Sequence, residues 1–318
     1  MHTKIFTKKE LKDAADLIRK GELVAFPTET VYGLGADAFN PYAIKKIFEV
    51  KDRPSDNPLI VHIASKKQLY KIADVPVHLK KIVDKLAAKF WPGPLTIVLK
   101  KKKSIADEVS GGLDTVAVRM PNNRIALALI KKAGVPIAAP SANISGKPSS
   151  TCFEHVFDDF DGKIAGIIKA KDCKIGIEST VVDIVSEPPL VLRPGGVTVE
   201  QLKKIIPNIK VARHKRVVKA RSPGMKYRHY SPNAKVILFK GSAVKKMLKY
   251  KEQLEKNGKI VIVIKPEGSV RFSKRLFKLF RQCDKKHIDY ILIQAIPERG
   301  IGLAIMNRIK KAAYKVIK

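Results

Sequence analysis

Apolar residues recur along this chain in two alternating rhythms, one at helical spacing and one as short continuous runs. Leu11, Ala14, Ala15, Leu17 and Ile18 set the first rhythm and predict a helix over 7–20, with Thr7 and Glu10 as a capping box. Gly21 breaks it, and Leu23-Val24-Ala25-Phe26 follows as a strand that Pro27 ends. Further helices are predicted over 41–50, 66–72, 77–90, 124–133, 152–157 and 199–206. Strands are predicted over 59–63, 95–99, 115–119, 136–139, 165–168, 176–184 and 190–193. The rhythm then lapses: 213–232 holds many cations, with Ser222-Pro223-Gly224-Met225 and Tyr227-Arg228-His229-Tyr230-Ser231-Pro232, and reads as a linker. From Lys235 strands over 236–239, 260–264 and 290–294 alternate with helices over 243–254, 273–282 and 301–316, which predicts a small parallel α/β domain. The division implied is a strand-rich α/β unit over 1–211, a linker over 212–233 and a second α/β domain over 234–318.

A chain of 318 residues has room for two cores, and 45% hydrophobic residues exclude a disordered protein. The net charge of +34 argues for anionic partners or for a general lysine bias, and charge alone does not separate the two. The first ten residues hold no apolar run of signal-peptide length, and no stretch approaches the roughly 18 apolar residues of a membrane helix. The expectation is a soluble, cytoplasmic protein with no membrane partner. Cys152, Cys173 and Cys283 are far apart with no Cys-x-x-Cys pair, which argues against structural zinc and a disulfide framework. Cys152 with His155 reads as a cysteine at a partly buried helix start and not as a nucleophile pair.

Charge matters most in the stretch from Lys51 to His62. Pro54 and Pro58 push Arg53 and Asn57 toward extended backbone, so Lys51 and Arg53 fall where a helix stops and a loop begins. A lysine point charge beside an arginine fork suits a triphosphate. Thr28-Glu29-Thr30-Val31-Tyr32 follows a strand end, where α/β sheets place ligands. Ser141-Ala142-Asn143-Ile144-Ser145-Gly146-Lys147-Pro148-Ser149-Ser150-Thr151 follows another, with hydroxyl, amide and backbone donors for phosphate oxygens, though without P-loop glycine spacing. Arg119 at a strand end could grip a carboxylate, Arg193 stands before a turn, and Lys100 to Lys103 reads as a solvated turn. No Gly-x-Gly-x-x-Gly follows the first strand of the second domain, so no dinucleotide is expected there.

Taken in order, Pro27-Thr28-Glu29-Thr30-Val31-Tyr32-Gly33-Leu34, Lys51-x-Arg53-Pro54, Asn57-Pro58-Leu59, Trp91-Pro92-Gly93-Pro94, Ser141-x-Asn143 and Glu178-Ser179-Thr180-Val181 resemble the YrdC-type threonylcarbamoyl-adenylate synthases. Ser222 to Pro232, with Gly302-Leu303-Ala304 and Asn307-Arg308, resembles the long form with a C-terminal domain. The resemblance implies a YrdC-like twisted mixed sheet around a concave, positively charged groove, followed by a small Rossmann-like parallel α/β domain. It implies a nucleotidyltransferase that makes threonylcarbamoyl-AMP and pyrophosphate from L-threonine, bicarbonate and ATP. A separate transferase would carry the product to tRNA, and a direct tRNA contact stays open.

By the same resemblance Lys51 and Arg53 are catalytic cations, and Thr30, His62, Arg119, Ala139 and Ser179 line a threonine pocket. Arg53, Asn57, Thr115, Ser141, Asn143, Ser149, Arg193 and Tyr230 hold ATP or the adenylate. No protein metal site is implied, and Mg²⁺ would come with ATP through its phosphates. The linker carrying Tyr230 is expected to close over the pocket. One departure is Lys169-Ala170-Lys171, where the family often has Asp-Gly-Gly, and a variant edge is expected there. Two other readings compete. One is an RNA-binding or assembly protein with a basic groove, disfavoured by only 7% aromatic residues. The other is a carbamoyl-adenylate enzyme of the hydrogenase-maturation kind, which would carry acylphosphatase and zinc-finger regions.

Overall fold

The computed structural model describes residues 2–212 and 230–318. Residues 213–229, with most of the linker motifs quoted above, lie outside the described residues. The first domain carries strands β1 (Lys4–Phe6), β2 (Val24–Phe26), β3 (Gly33–Asp37), β4 (Ile60–His62), β5 (Ala73–Asp74), β6 (Leu95–Lys101), β7 (Thr115–Arg119), β8 (Ile137–Ala139), β9 (Gly166–Ile168), β10 (Thr180–Asp183), β11 (Leu190–Arg193) and β12 (Lys210–Val211). Among the described residues they form one mixed sheet in the order β1-β9-β2-β3-β8-β4-β7-β6-β10-β11-β12, with β5 on β6.

Helices α1 (Leu11–Arg19) and α6 (Arg124–Ala133) bury Leu11, Ala14, Ile18, Leu129 and Ile130 against Phe6, Val24, Phe26 and Ile137 on one face. The larger core lies on α2 (Pro41–Lys51), α3 (Lys66–Ile72), α4 (Val77–Phe90), α5 (Asp107–Ser110), α7 (Phe153–Phe160) and α8 (Val199–Lys203). Helix α2 matters for the site. Asn40 caps it by accepting from the Tyr42 and Ala43 N–H groups, Pro41 starts it, and Asp52 ends it in the left-handed region at φ 50°. Lys51 therefore sits in the last turn and Arg53 just beyond.

Three sequence expectations needed correcting. Glu10, not Thr7, is the N-cap of α1, and its carboxylate accepts from the Thr7 N–H and hydroxyl, so half of the expected box is present. Gly33 and Gly35 lie inside β3, a strand not among those expected. A Cβ at Gly35 would stand 2.8 Å from Phe26 and from Ile137, so glycine lets the neighbouring side chains cross the strand. The last helix, expected to reach 316, stops at Ala312, because the chain turns extended at Ala313 to pair with an open sheet edge.

The second domain follows β13 (Lys235–Phe239), a 3₁₀ turn Gly241–Lys246, α9 (Met247–Lys256), β14 (Val261–Ile264), α10 (Ser269–Lys285), β15 (Tyr290–Gln294), α11 (Ile301–Ala312) and β16 (Ala313–Ile317). Its four strands are all parallel in the order β14-β15-β13-β16, as the strand and helix alternation requires. Its core takes in Val31 and Ile177 of the first domain, with Tyr230, against Phe272, Leu276, Phe277 and Phe280. Gly176 marks how close the domains come: its φ is +78° and a Cβ there would lie 2.5 Å from Lys274 Cα. Gly176→Ala is expected to cost about 1–3 kcal/mol of stability, from backbone strain and the collision together, read as a lower denaturant midpoint.

Candidate active site

The central strands converge on one cleft. β4 and β7 run side by side with His62 opposite Arg119, and β8 sets Ala139 opposite Ile60. Thr28 and Thr30 follow β2, Ser179 precedes β10, and all of these residues line the cleft. Several of these polar groups are already fixed. Arg119 donates from Nε to Gly93 O (3.2 Å) and from Nη1 to Thr30 Oγ1 (2.8 Å), while its Nη2 lies 2.7 Å from Glu29 Oε1. The Ser179 hydroxyl meets Thr96 Oγ1 at 2.8 Å and accepts from Arg193 Nη2 at 3.2 Å. Burial, helped by the Arg119 charge, pushes the His62 imidazole down to about 3, so it is a neutral wall of the cleft and no base for an ammonium group.

The rest of the lining is rich in cations and polar side chains: Arg53, Ser141, Asn143, Ser149, Arg193 and Tyr230, joined by Lys147 and Glu178. Arg53 Nη2 donates to Asn57 O (3.0 Å) and Pro58 O (3.2 Å), so the carbonyls of the proline-stiffened loop aim the guanidinium. Burial would raise the Glu178 carboxyl, but Arg308 and Arg193 hold it below the usual carboxylate range. The Tyr230 ring stacks on Phe277 with centroids 5.4 Å apart, which docks this residue on the second domain.

Eleven of the residues singled out from the sequence line the cleft, namely Thr30, Arg53, His62, Arg119, Ala139, Ser141, Asn143, Ser149, Ser179, Arg193 and Tyr230. Lys51, Asn57 and Thr115 are buried and are not among the lining residues. Lys51 is a correction to the paired-cation picture: it is buried, and its ammonium donates to Ser141 O at 2.6 Å and to Asn143 O. It braces the loop carrying Ser141 and Asn143, and burial holds its pKa well below the ordinary lysine value. The Asn57 amide and the Thr115 hydroxyl are buried without hydrogen-bond partners among the described residues, and a ligand can satisfy such groups.

Two acids quoted within the sequence motifs were given no role of their own. Glu29 and Glu178 each stand beside a hydroxyl residue at a strand end, and a cluster of buried arginines needs counter-charges. Cys152 matches its bland reading: it is buried, and burial pushes its thiol up to about 11. The basic turn at 169–171 leaves the wall intact, since Ala170 O accepts from Tyr32 Oη at 3.4 Å and Lys169 Nζ lies over the Phe153 ring.

Residues 16–195 match the family Sua5–YciO–YrdC, described as "Telomere recombination". The chain belongs to this family. In this Sua5–YciO–YrdC chain, residues 197–314 match a second family, "Threonylcarbamoyl-AMP synthase, C-terminal domain". A Pyrococcus abyssi protein named threonylcarbamoyl-AMP synthase is 48% identical, over 97% of this chain and 96% of that one. A Bacillus subtilis protein of the same name is 44% identical, over 96% and 93%. The crystal structure of Pyrococcus abyssi Sua5 complexed with L-threonine superposes with a TM-score of 0.94 at 45% identity, covering 99% of each chain.

Among the described residues, two buried histidines give this Sua5–YciO–YrdC fold an acid sensitivity of definite sign. Burial lowers His62 to about 3 and His155 to about 4, from an ordinary 6.5. Between those values and 6.5 the unfolded chain binds protons that the folded chain refuses, so stability falls as pH drops through this window. Below the ordinary 4.5 of a glutamate, Glu178 adds to the loss, because its folded pKa is the lower one. The melting temperature is expected to decline steadily from pH 6.5 toward 4, and His62→Gln should flatten the slope in a calorimetric series.

Proposed function

We propose that this chain is a threonylcarbamoyl-AMP synthase, which joins L-threonine, bicarbonate and ATP and releases pyrophosphate. The observation that carries the reading is a single cleft whose lining brings the Thr30 and Ser179 hydroxyls and the fixed Arg119 guanidinium together with the cations Arg53 and Arg193. The threonine amine attacks bicarbonate carbon and water leaves, and a carbamate oxygen then attacks the α-phosphorus as pyrophosphate departs. Both steps need orientation and charge neutralisation more than a nucleophilic side chain. Thr30, Ser179, Ala139, His62 and Arg119 would hold threonine, with hydroxyl groups rejecting analogues that leave them unpaired. Arg53, Ser141, Asn143, Ser149, Arg193 and Tyr230 would hold ATP.

Magnesium would enter with the nucleotide. Glu178, the carboxylate on the cleft wall, is taken up by Ser149 and Arg308, so the donor set suits a metal held by phosphate oxygens. Bound there, it would offset triphosphate charge. Among the described residues no helix is long and apolar enough to cross a membrane, and the three cysteines are free, which supports a cytoplasmic setting. A transferase that moves the threonylcarbamoyl group to tRNA would be the consumer of the product.

The test is pyrophosphate release by purified protein with ATP, omitting threonine and bicarbonate in turn. Release should need both, and serine should be a much poorer substrate than threonine. No release under any combination, beside salt-sensitive tRNA binding, would favour the RNA-binding reading. Tyr230 belongs to the linker, and deletion of residues 222–232 is expected to abolish activity if this segment excludes water from the carbamate.

A further inference from the structure

The second domain reaches the wall of the cleft through two arginines: Arg281 on α10 donates to Pro148 O and Ser150 Oγ on either side of Ser149, and Arg308 goes further. Arg308 on α11 is wholly buried. Its Nε donates to Glu178 Oε2 at 2.9 Å and its Nη1 to Pro194 O at 2.6 Å, and its guanidinium carbon lies 5.4 Å from the Tyr230 ring centroid. Glu178 passes the contact on, because its other oxygen accepts from Ser149 Oγ at 2.5 Å. Glu178, Ser149 and Tyr230 all line the cleft, and Pro194 follows Arg193, which also does. One guanidinium thus ties together separate pieces of the nucleotide wall.

A buried Arg–Glu pair is a poor device for merely docking two domains, since apolar residues of the same volume would hold them as well. Its geometry does something else. An ionised carboxylate only accepts hydrogen bonds, so the Ser149 proton is committed to Glu178. The lone pairs of Ser149 are then all it can offer a ligand. A phosphate oxygen, also an acceptor, is excluded as the partner of that hydroxyl.

We infer that Arg308 is a positioning residue which, acting through Glu178, fixes the Ser149 hydroxyl as an acceptor for a donor on the nucleoside, a ribose hydroxyl or the adenine amino group. This rests on the synthase reading above and deepens it: the second domain sets nucleoside discrimination in the first. It also revises the expectation that the serine-rich loop serves phosphate throughout.

The experiment compares wild type, Arg308→Met, Arg308→Lys and Ser149→Ala in the threonine- and bicarbonate-dependent release of pyrophosphate. The nucleotides are ATP, 2′-deoxy-ATP, 3′-deoxy-ATP and purine riboside triphosphate, which lacks the amino group. Wild type should disfavour one of the three analogues by about tenfold or more, and which one identifies the donor. Arg308→Met and Ser149→Ala should lose that one discrimination while raising KM for ATP and leaving KM for threonine unchanged. Lysine should not rescue it, because a point charge cannot span the three contacts. Ser149→Ala reads the same property even if Arg308→Met does not fold. Unaltered discrimination in both variants would overturn the inference, as would a loss of rate shared equally by all four nucleotides. A wild type that releases no pyrophosphate would strike the synthase reading itself.

Discussion

Arg53→Ala is expected to lower kcat/KM for pyrophosphate release by roughly 30- to 1,000-fold, about 2–4 kcal/mol of transition-state stabilisation. Arg53 is the cation that the Lys51-x-Arg53 motif delivers to the cleft, and its Nη2 is pinned by the carbonyls of Asn57 and Pro58. A guanidinium held in this way needs little reorganisation as negative charge builds on the departing phosphates, which is where fixed donors contribute most. Arg53→Lys should recover little, because a flexible ammonium cannot keep two carbonyl contacts and also present a planar fork. Arg53 is only half-buried, so the melting temperature should hardly move. Steady-state rates with a calorimetric control decide it: a variant of ordinary stability and wild-type rate would remove Arg53 from the mechanism.

Asp159→Ala should be the most destabilising of the substitutions considered, by about 3–5 kcal/mol. Asp159 on α7 is 4% exposed and pairs with Arg281 of α10 through both oxygens, at 3.3 and 2.6 Å. It also accepts from the Ile144 N–H at 3.3 Å, has Lys147 Nζ at 3.8 Å and faces the charge of buried Lys51. Removing it leaves the Arg281 guanidinium and the Lys51 ammonium buried without their shared anion. The loss should appear as a melting temperature lower by about 10 °C, measured by calorimetry. Asp159→Leu combined with Arg281→Met should recover most of it, because the penalty is the desolvated, unpaired charge and not the missing pair. A single variant as stable as wild type would mean that water reaches the site.

Much of the architecture could be read directly from local sequence. Helices α3, α4 and α6 and strand β7 fall where the spacing of apolar residues puts them, since a helix stripe or a buried strand is decided by which side chains share a face. The alternation of strand and helix after Lys235 likewise required a parallel sheet. The candidate site was legible as loops: each strand-end run of hydroxyl, amide and basic residues supplied wall residues, and most of the named positions reached the cleft.

What local sequence could not supply was direction and counterpart. Lys51 and Arg53 are two residues apart and read alike, yet one faces the cleft and the other turns back under the Ser141 loop, because Asp52 leaves the helix in the left-handed region. Strand β3, with Gly33 and Gly35, has no apolar run to announce it until Phe26 is seen crossing it, and β16 passes for helix until the open edge of β13 is in place to receive it. Glu178 looked like a motif letter until Arg308, far along the chain, reached it from another domain. Periodicity encodes which face a residue shares with its neighbours. Only the folded chain decides which distant charge neutralises it and which proton its partner must keep.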